Sequence, residues 1–153
     1  MPIADALYSS KSGEWETPQD LYDVLDEEFN FNLDPAATDE NHKCDYYITE
    51  KNDGLSIPWE LPGCAKGKVF LNPPYGRIIG RWIQKAVSEY VQGNAELVVM
   101  LLPVRTDTVW FHKWIYNQPW VTDIRFIKGR LKFGGATNSA PFPSMIVVIG
   151  GDR

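Results

Sequence analysis

Leu97 to Leu102 form a run of six consecutive apolar residues, and Pro103 ends the run. A run of this length and composition is typical of a β-strand that is buried on both faces. Strands of this kind occur in parallel sheets that helices cover on both sides. This run therefore favours an α/β architecture.

Helical and strand patterns alternate along the rest of the chain. Thr17 and Pro18 open the first predicted helix as its N-cap and first helical residue, and Asn30 ends it. Further helices are predicted at 78–91 and 107–116, and strands at 31–34, 46–49, 68–71, 97–102, 124–133 and 145–149. The strand at 124–133 is expected to enter a turn at Gly129 and then to resume. This order predicts an α/β fold with a mostly parallel sheet, helices on both faces and an antiparallel C-terminal edge. The sequence shows no repeat or linker, so residues 1–153 are expected to form a single domain.

Three polar or rigid positions follow directly on predicted strand ends. Asp34 closes a strand that Pro35 is expected to stop, and Asn72 and Pro103 follow two later strands. In a parallel sheet the carboxyl ends of the strands share one edge, where ligands bind. We therefore expect these positions to open onto one rim.

Asn72-Pro73-Pro74-Tyr75 is the strongest chemical signal in the chain. The two prolines stiffen the backbone and remove two N–H donors, so carbonyl oxygens are left unpaired beside an amide and an aromatic ring. This arrangement suits a planar group that carries an NH2. The Asn72 side-chain oxygen and the Pro73 carbonyl would accept its two hydrogens, and Tyr75 would stack on its ring. A rigid turn after a strand is the structural alternative.

The chain resembles the phage-type DNA adenine-N6 methyltransferases, which use S-adenosylmethionine. The resemblance lies in short motifs that occur in order: Trp15 to Pro18, Phe31 to Ala37, Asp53 to Leu55, Val69 to Gly76, Leu102 to Thr108 with Trp110 to His112, Gly129 to Phe133, and Ser139 to Ser144. It implies a Rossmann-like methyltransferase that binds S-adenosylmethionine and methylates adenine N6 in DNA. Transfer is expected to be direct, with no covalent intermediate, because neither Cys44 nor Cys64 lies in a Pro-Cys nucleophile motif, and no metal is expected. Because adenine N6 is out of reach in a stacked duplex, the resemblance also implies base flipping.

The resemblance assigns roles to two groups of residues. The catalytic motif corresponds to Asn72, Pro73, Pro74 and Tyr75. The cofactor site corresponds to Thr17, Pro18, Asp34, Asp53 and Asn72. Within that site Asp34 would face the methionine or ribose of the cofactor, Thr17 and Pro18 would cradle its methionine end, and Asp53 would accept from its adenine amino group. The alternatives are a helix-cap or turn aspartate at Asp34, a plain helix start at Thr17-Pro18 and a simple turn at Asp53-Gly54.

Two features depart from the broader methyltransferase pattern. The first strand ends in Asp34-Pro35-Ala36-Ala37 rather than in a glycine-rich loop. Only 37 residues separate Asp34 from Asn72, which leaves little room for two βα units. The sheet is therefore expected to be abbreviated, and the usual acid after the second strand cannot be assigned.

Charge is distributed unevenly along the chain. The net charge is −5, yet residues 1–60 hold 15 acids and 3 lysines, whereas residues 61–153 hold 5 acids and 12 lysines and arginines. Such a split predicts a basic face on an acidic body. Arg125 to Lys132 alternates charged and apolar residues, so a strand there would present several cations to phosphates. The expected DNA-binding residues are Arg77, Arg81, Arg105, Lys128, Arg130 and Lys132, with ordinary solvated side chains as the alternative.

The Asn72-Pro73-Pro74-Tyr75 motif is also compatible with functions other than methylation of DNA. An RNA base or a protein glutamine amide also offers a planar NH2, and a non-catalytic module that binds DNA or a partner protein is a further alternative. The two cysteines, Cys44 and Cys64, lack a nucleophile motif, and no stretch approaches the roughly 20 apolar residues of a membrane span. We expect a monomer or weak homodimer that meets DNA in the cytoplasm of a phage-infected or prophage-carrying host.

Overall fold

A computed structural model describes residues 15–134 and 138–151 of the chain. Its six strands are β1 (Leu33–Ala37), β2 (Tyr46–Thr49), β3 (Gly67–Leu71), β4 (Ala95–Pro103), β5 (Val121–Phe126) and β6 (Ser144–Gly150). They form one sheet in the order β2-β1-β3-β4-β6-β5. The helical elements are α1 (Gln19–Phe29), α2 (Ile79–Val91), a 3-10 turn (Pro62–Cys64) and a π-helical turn (Phe111–Ile115).

Strand direction divides the sheet into two parts. The β2-β1-β3-β4 part is parallel, and β6 runs antiparallel between β4 and β5. The predicted mixture of a mostly parallel sheet with an antiparallel C-terminal pair is therefore confirmed. In β4 all residues except Glu96 are buried, and all of β6 is buried, which confirms that the apolar run 97–102 is covered on both faces.

The first helix ends where it was predicted to end but begins differently. Asn30 adopts a left-handed conformation with φ 56°, and its N–H donates to the Asp26 carbonyl over 2.8 Å. At the other end Pro18 is the N-cap, and its carbonyl accepts the N–H of Tyr22 over 3.1 Å. The prediction that Thr17 caps this helix is wrong, because Thr17 makes no cap bond and its hydroxyl contacts Asn72 instead.

Pro35 does not stop the first strand, so Asp34 lies inside β1 rather than at its end. The register between β1 and β2 shifts between Asp34 and Ala37, and β1 pairs with β3 only at Leu33 and Val69. The missing N–H of Pro35 therefore falls at an irregularity where the ladder does not require it.

The predicted strand at 124–133 is also too long. β5 ends at Phe126, and the chain bends at Gly129 with a positive φ of 76°, as predicted, but it does not resume a strand at 130–134. This segment is held by the side chain of Phe133, which is 2% exposed, and by an Ala140 N–H bond to the Leu131 carbonyl of 2.8 Å. The cations of 128–132 consequently do not form one face of a strand.

Candidate active site

A cavity of about 980 Å³ opens beside the carboxyl ends of β1, β2 and β3. Asp34 in β1, Glu50 after β2 and Asn72 after β3 all contribute to its wall. The parallel direction of these strands brings together residues that are far apart in sequence. The shared rim predicted for Asp34 and Asn72 is confirmed, whereas Pro103 ends β4 at the same edge without lining this cavity.

The side chain of Asn72 is held in one orientation. Its Nδ2 donates to the Trp15 carbonyl and, over 2.9 Å, to the hydroxyl of Thr17. A carbonyl oxygen can only accept, so Nδ2 must face Trp15 and Oδ1 must point the other way. Oδ1 is buried and has no hydrogen-bond partner among the described residues.

Unpaired polar atoms cluster at this cavity. Four buried side-chain atoms lack a partner in the described part of the chain, and three of them belong to cavity-lining residues: Asn72 Oδ1 and the indole nitrogens of Trp15 and Trp82. Native proteins rarely leave such atoms unpaired without a ligand, an ordered water or a functional reason. Three of the four unpaired atoms therefore belong to the residues that form this cavity wall.

Of the other three residues of the Asn72-Pro73-Pro74-Tyr75 motif, one lines the cavity and two are buried behind its wall. Pro74 lines the cavity, whereas Pro73 and Tyr75 are buried and do not line it. The Tyr75 hydroxyl donates to the Leu101 carbonyl over 3.1 Å, and its burial raises the pKa of the phenol. With only 5% of its surface exposed, the ring has no open face for a base to stack on, which corrects the expected stacking role.

Trp15 connects this buried ring to the cavity. Its indole packs against Phe133 and Phe142 at centroid distances of 5.5 and 5.3 Å, and Tyr75 meets the same two rings. Trp15 itself lines the cavity. Sequence reasoning placed Trp15 in a motif but gave it no role. Its place next to the Glu16-Thr17-Pro18 segment is the only sequence signal for it.

The two N-terminal residues expected at the cofactor take different positions. Thr17 is 4% exposed and lines the cavity, where its hydroxyl holds Asn72. Pro18 begins α1 and does not line the cavity.

Asp34 is a buried carboxyl group that is 6% exposed. Its Oδ2 accepts the Lys43 N–H over 3.0 Å and its Oδ1 accepts the Ala36 N–H over 3.3 Å. Burial raises the pKa of Asp34, although these backbone hydrogen bonds and the nearby charges of His42 and Lys43 act in the opposite direction. A ligand with a positive charge would favour the ionised form of this group.

Asp53 and Glu50 supply exposed carboxylates to the same cavity. Asp53 stands in the predicted turn with a positive φ of 56°, a conformation that Asp tolerates. Its carboxylate accepts the Ser56 hydroxyl over 2.6 Å and the Leu55 N–H over 3.1 Å, and these bonds lower the pKa of Asp53. Glu50 was missed from the sequence, although it directly follows the predicted strand 46–49.

The six cations expected at DNA lie in separate segments of the chain, and none of them lines the cavity. Five of them are exposed and Arg105 is half-buried; none forms an ion pair with another described residue. They are Arg77, Arg81, Arg105, Lys128, Arg130 and Lys132. Arg125 differs, because Glu28 and Asp123 bind its guanidinium at 2.6–2.8 Å.

No described helix has both the length and the apolar character to cross a bilayer. Nor do three or more His, Cys, Asp or Glu side chains of that part of the chain gather into a group able to hold a metal ion.

Comparison with known proteins gives a consistent result. A family model described as DNA N-6-adenine-methyltransferase (Dam) matches residues 6–149. A protein of Haemophilus phage HP1 (strain HP1c1), named DNA N-6-adenine-methyltransferase, is 30% identical over 139 residues, which cover 88% of this chain and 76% of the relative. A protein of Escherichia phage T1 with the same name is 32% identical over 99 residues, which cover 63% of this chain and 38% of the relative.

Proposed function

The chain belongs to the DNA N-6-adenine-methyltransferase (Dam) family, and from this premise we propose that it transfers a methyl group from S-adenosylmethionine to the N6 amino group of adenine in DNA. The observation that carries the proposal is the buried, unpaired Asn72 Oδ1, which Trp15 and Thr17 orient from the opposite end of the amide. We further take the fold to be a single, abbreviated Rossmann-like methyltransferase domain with helices on both faces of the sheet.

Asn72 acts on the acceptor nitrogen. The lone pair of the adenine amino group is delocalised into the ring, so this nitrogen is a poor nucleophile. A hydrogen bond from the amine to Oδ1 draws the nitrogen toward a tetrahedral geometry and stabilises the positive charge that develops on it. Because Oδ1 is already oriented, no reorganisation is needed at the moment of reaction.

The rest of the motif stiffens this site. Pro74 forms part of the cavity wall, whereas the residue that carries the second expected acceptor, the Pro73 carbonyl, does not line the cavity. Two consecutive prolines restrict the backbone next to Asn72. Tyr75 supports the motif from behind through its bond to the Leu101 carbonyl, so we propose that it forms the rear wall of the base site.

The cavity residues fit S-adenosylmethionine. A volume of about 980 Å³ lies at the upper end of the range for small-molecule sites, and Asp34, Glu50 and Asp53 give the wall a negative character. When bound, this molecule supplies an electrophilic methyl group on a positively charged sulfonium. We propose that Asp34 and Thr17 hold its methionine part, and that Glu50 and Asp53 hold its ribose and adenine parts.

Transfer is proposed to be direct. The described cysteine with a placed side chain is Cys44, which is 6% exposed and does not line the cavity. Burial raises the pKa of its thiol to about 12, so a nucleophilic thiolate is scarce at neutral pH.

The position of Oδ1 supports base flipping. An atom that is buried beside a cavity cannot reach an amine inside a stacked duplex, so the adenine must leave the helix to meet it. The unpaired cations at 77, 81, 105, 128, 130 and 132 are proposed to hold the phosphates. The phage sources of the two relatives support action on DNA in the host cytoplasm. We further propose that the protein acts as a monomer or weak homodimer.

Methyl-labelled S-adenosylmethionine tests the proposal when it is offered with DNA, RNA and protein in parallel. We expect label in DNA, and N6-methyladenine after digestion to nucleosides. Label in RNA or protein alone would identify one of the alternative acceptors. No cofactor binding with or without DNA would favour a non-catalytic module.

A further inference from the structure

Glu89 is a buried carboxylate that lies outside the cavity. It is 2% exposed on α2. Its Oε1 accepts the backbone N–H of Trp59 and, over 3.3 Å, the side-chain amide of Asn94, and Lys85 Nζ lies 3.4 Å from its Oε2. A carboxylate is costly to remove from water, so this one is retained only where it satisfies buried donors.

The principal donor, Trp59, extends the connection toward the cavity. Trp59 is fully buried and does not line the cavity itself. Its indole N–H donates to the Gly54 carbonyl over 2.8 Å. A continuous line of hydrogen bonds therefore runs from α2 through Trp59 to the turn that carries Asp53.

The turn Asp53-Gly54-Leu55 is also packed closely against β1 and α2. A Cβ atom at Gly54 would lie 2.3 Å from the Pro35 carbonyl oxygen and 2.8 Å from the Trp82 ring, so the backbone is pressed against both. Asp53, Gly54 and Leu55 all line the cavity. The position of this wall is thus determined by Trp59 on one side and by β1 and α2 on the other.

We propose that Glu89 and Trp59 are positioning residues that set the affinity for S-adenosylmethionine by holding the turn Asp53-Gly54-Leu55 against the cavity. This inference rests on the proposed function, because it assigns the turn to the cofactor. Neither residue touches the acceptor site around Asn72, so loss of either contact acts on cofactor binding rather than on methyl transfer.

The substitution Trp59→Phe removes the indole N–H and keeps an aromatic ring. Trp120→Phe is the matched control, because the Trp120 indole donates to the Trp114 carbonyl over 2.7 Å and Trp120 does not line the cavity. We expect both variants to melt at lower temperature. Only Trp59→Phe should raise the calorimetric Kd for S-adenosylmethionine, by about tenfold for one lost hydrogen bond, with kcat at saturating cofactor unchanged.

A second pair of variants separates the hydrogen bond from the charge. Glu89→Gln keeps an oxygen for the Trp59 N–H and should bind the cofactor nearly as the wild type does, whereas Glu89→Ala should raise the Kd. Unchanged affinity in Trp59→Phe and Glu89→Ala, or an equal loss in Trp120→Phe, would overturn the inference. A wild-type protein that binds no cofactor would instead contradict the proposed function on which it rests.

Discussion

The Thr17 hydroxyl accepts a 2.9 Å hydrogen bond from the Asn72 amide, although the two residues are 55 positions apart in the sequence. Thr17 thereby gives up the helix-capping role that its place before Pro18 favours. Together with the Trp15 carbonyl, it leaves Asn72 Oδ1 as the free end of the amide. The segment Trp15 to Thr17 therefore sets the orientation of Asn72 Oδ1, the proposed hydrogen-bond acceptor for the adenine amine.

Removing that hydroxyl should slow methyl transfer without abolishing it. Thr17→Val keeps the shape of the side chain but leaves the Trp15 carbonyl as the remaining acceptor for Nδ2. We expect kcat to fall about fivefold to tenfold, in line with one hydrogen bond of roughly 1 kcal/mol. Initial rates of N6-methyladenine formation at saturating substrates measure this, with Thr17→Ser as the control that restores the hydroxyl. Equal losses in both variants would show that the hydroxyl has no part in orienting Asn72.

Asp34 should make stability depend on pH in a defined direction. Burial raises the pKa of this carboxyl in the folded protein above its unfolded value, so the folded state binds the proton more tightly. The resulting contribution to stability is fully present below the unfolded pKa and is lost as the pH rises through the folded pKa. Thermal melts across this range should show that fall in the wild type and a flatter curve in Asp34→Asn.

This test compares how the melting temperature changes with pH in the two proteins, not the absolute melting temperatures. Both Asp34 oxygens accept backbone N–H groups, so the amide of Asp34→Asn loses one of these bonds, and this loss lowers the melting temperature by an amount that does not depend on titration of residue 34. If the two curves run parallel across the acidic range, the Asp34 carboxyl does not titrate as its burial implies.

The cations that follow β5 should account for part of the salt dependence of DNA binding. Replacing Lys128, Arg130 and Lys132 by glutamine should reduce the slope of log Kd against log salt by about one unit for each cation that meets a phosphate. Arg125→Gln is the control, because Glu28 and Asp123 already neutralise this side chain. Fluorescence anisotropy of labelled DNA at several salt concentrations measures both slopes. If the triple variant keeps the wild-type slope, DNA binds to another face.

Local patterns in the sequence predicted most of the elements but few of their long-range contacts. The apolar runs of β3, β4 and β6, and the placement of Asn72 directly after β3, follow from hydrophobicity and proline chemistry. The contact between Thr17 and Asn72 depends on the packing of separate elements, which no local signal reports. Local patterns also did not predict the surroundings of Tyr75, whose ring packs against Phe133 and Phe142 from a segment distant in the sequence.

Two errors arose where a local rule was overridden by the sheet. Pro35 is a strong strand terminator by sequence, yet an irregular ladder in β1 accommodates it. Alternation at 125–132 is a strand signal, yet β6 begins at Ser144, and the Ile127 N–H bond to the Ser144 carbonyl is the last backbone bond that the segment makes to this strand. Glu50 was missed for a related reason, because the short strand β2 that positions it gives only a weak pattern.

The central claim is that Asn72 Oδ1 accepts the amine of the target adenine, and the most direct measurement is the rate of N6-methyladenine formation by the wild type and by Asn72→Ala. DNA is incubated with S-adenosylmethionine and each protein, and the modified nucleoside is quantified by mass spectrometry. We predict clear formation by the wild type and a loss of about a hundredfold or more in the folded variant, as expected for removal of a transition-state hydrogen bond. A near-normal rate in Asn72→Ala, or no N6-methyladenine from the wild type, would contradict the claim.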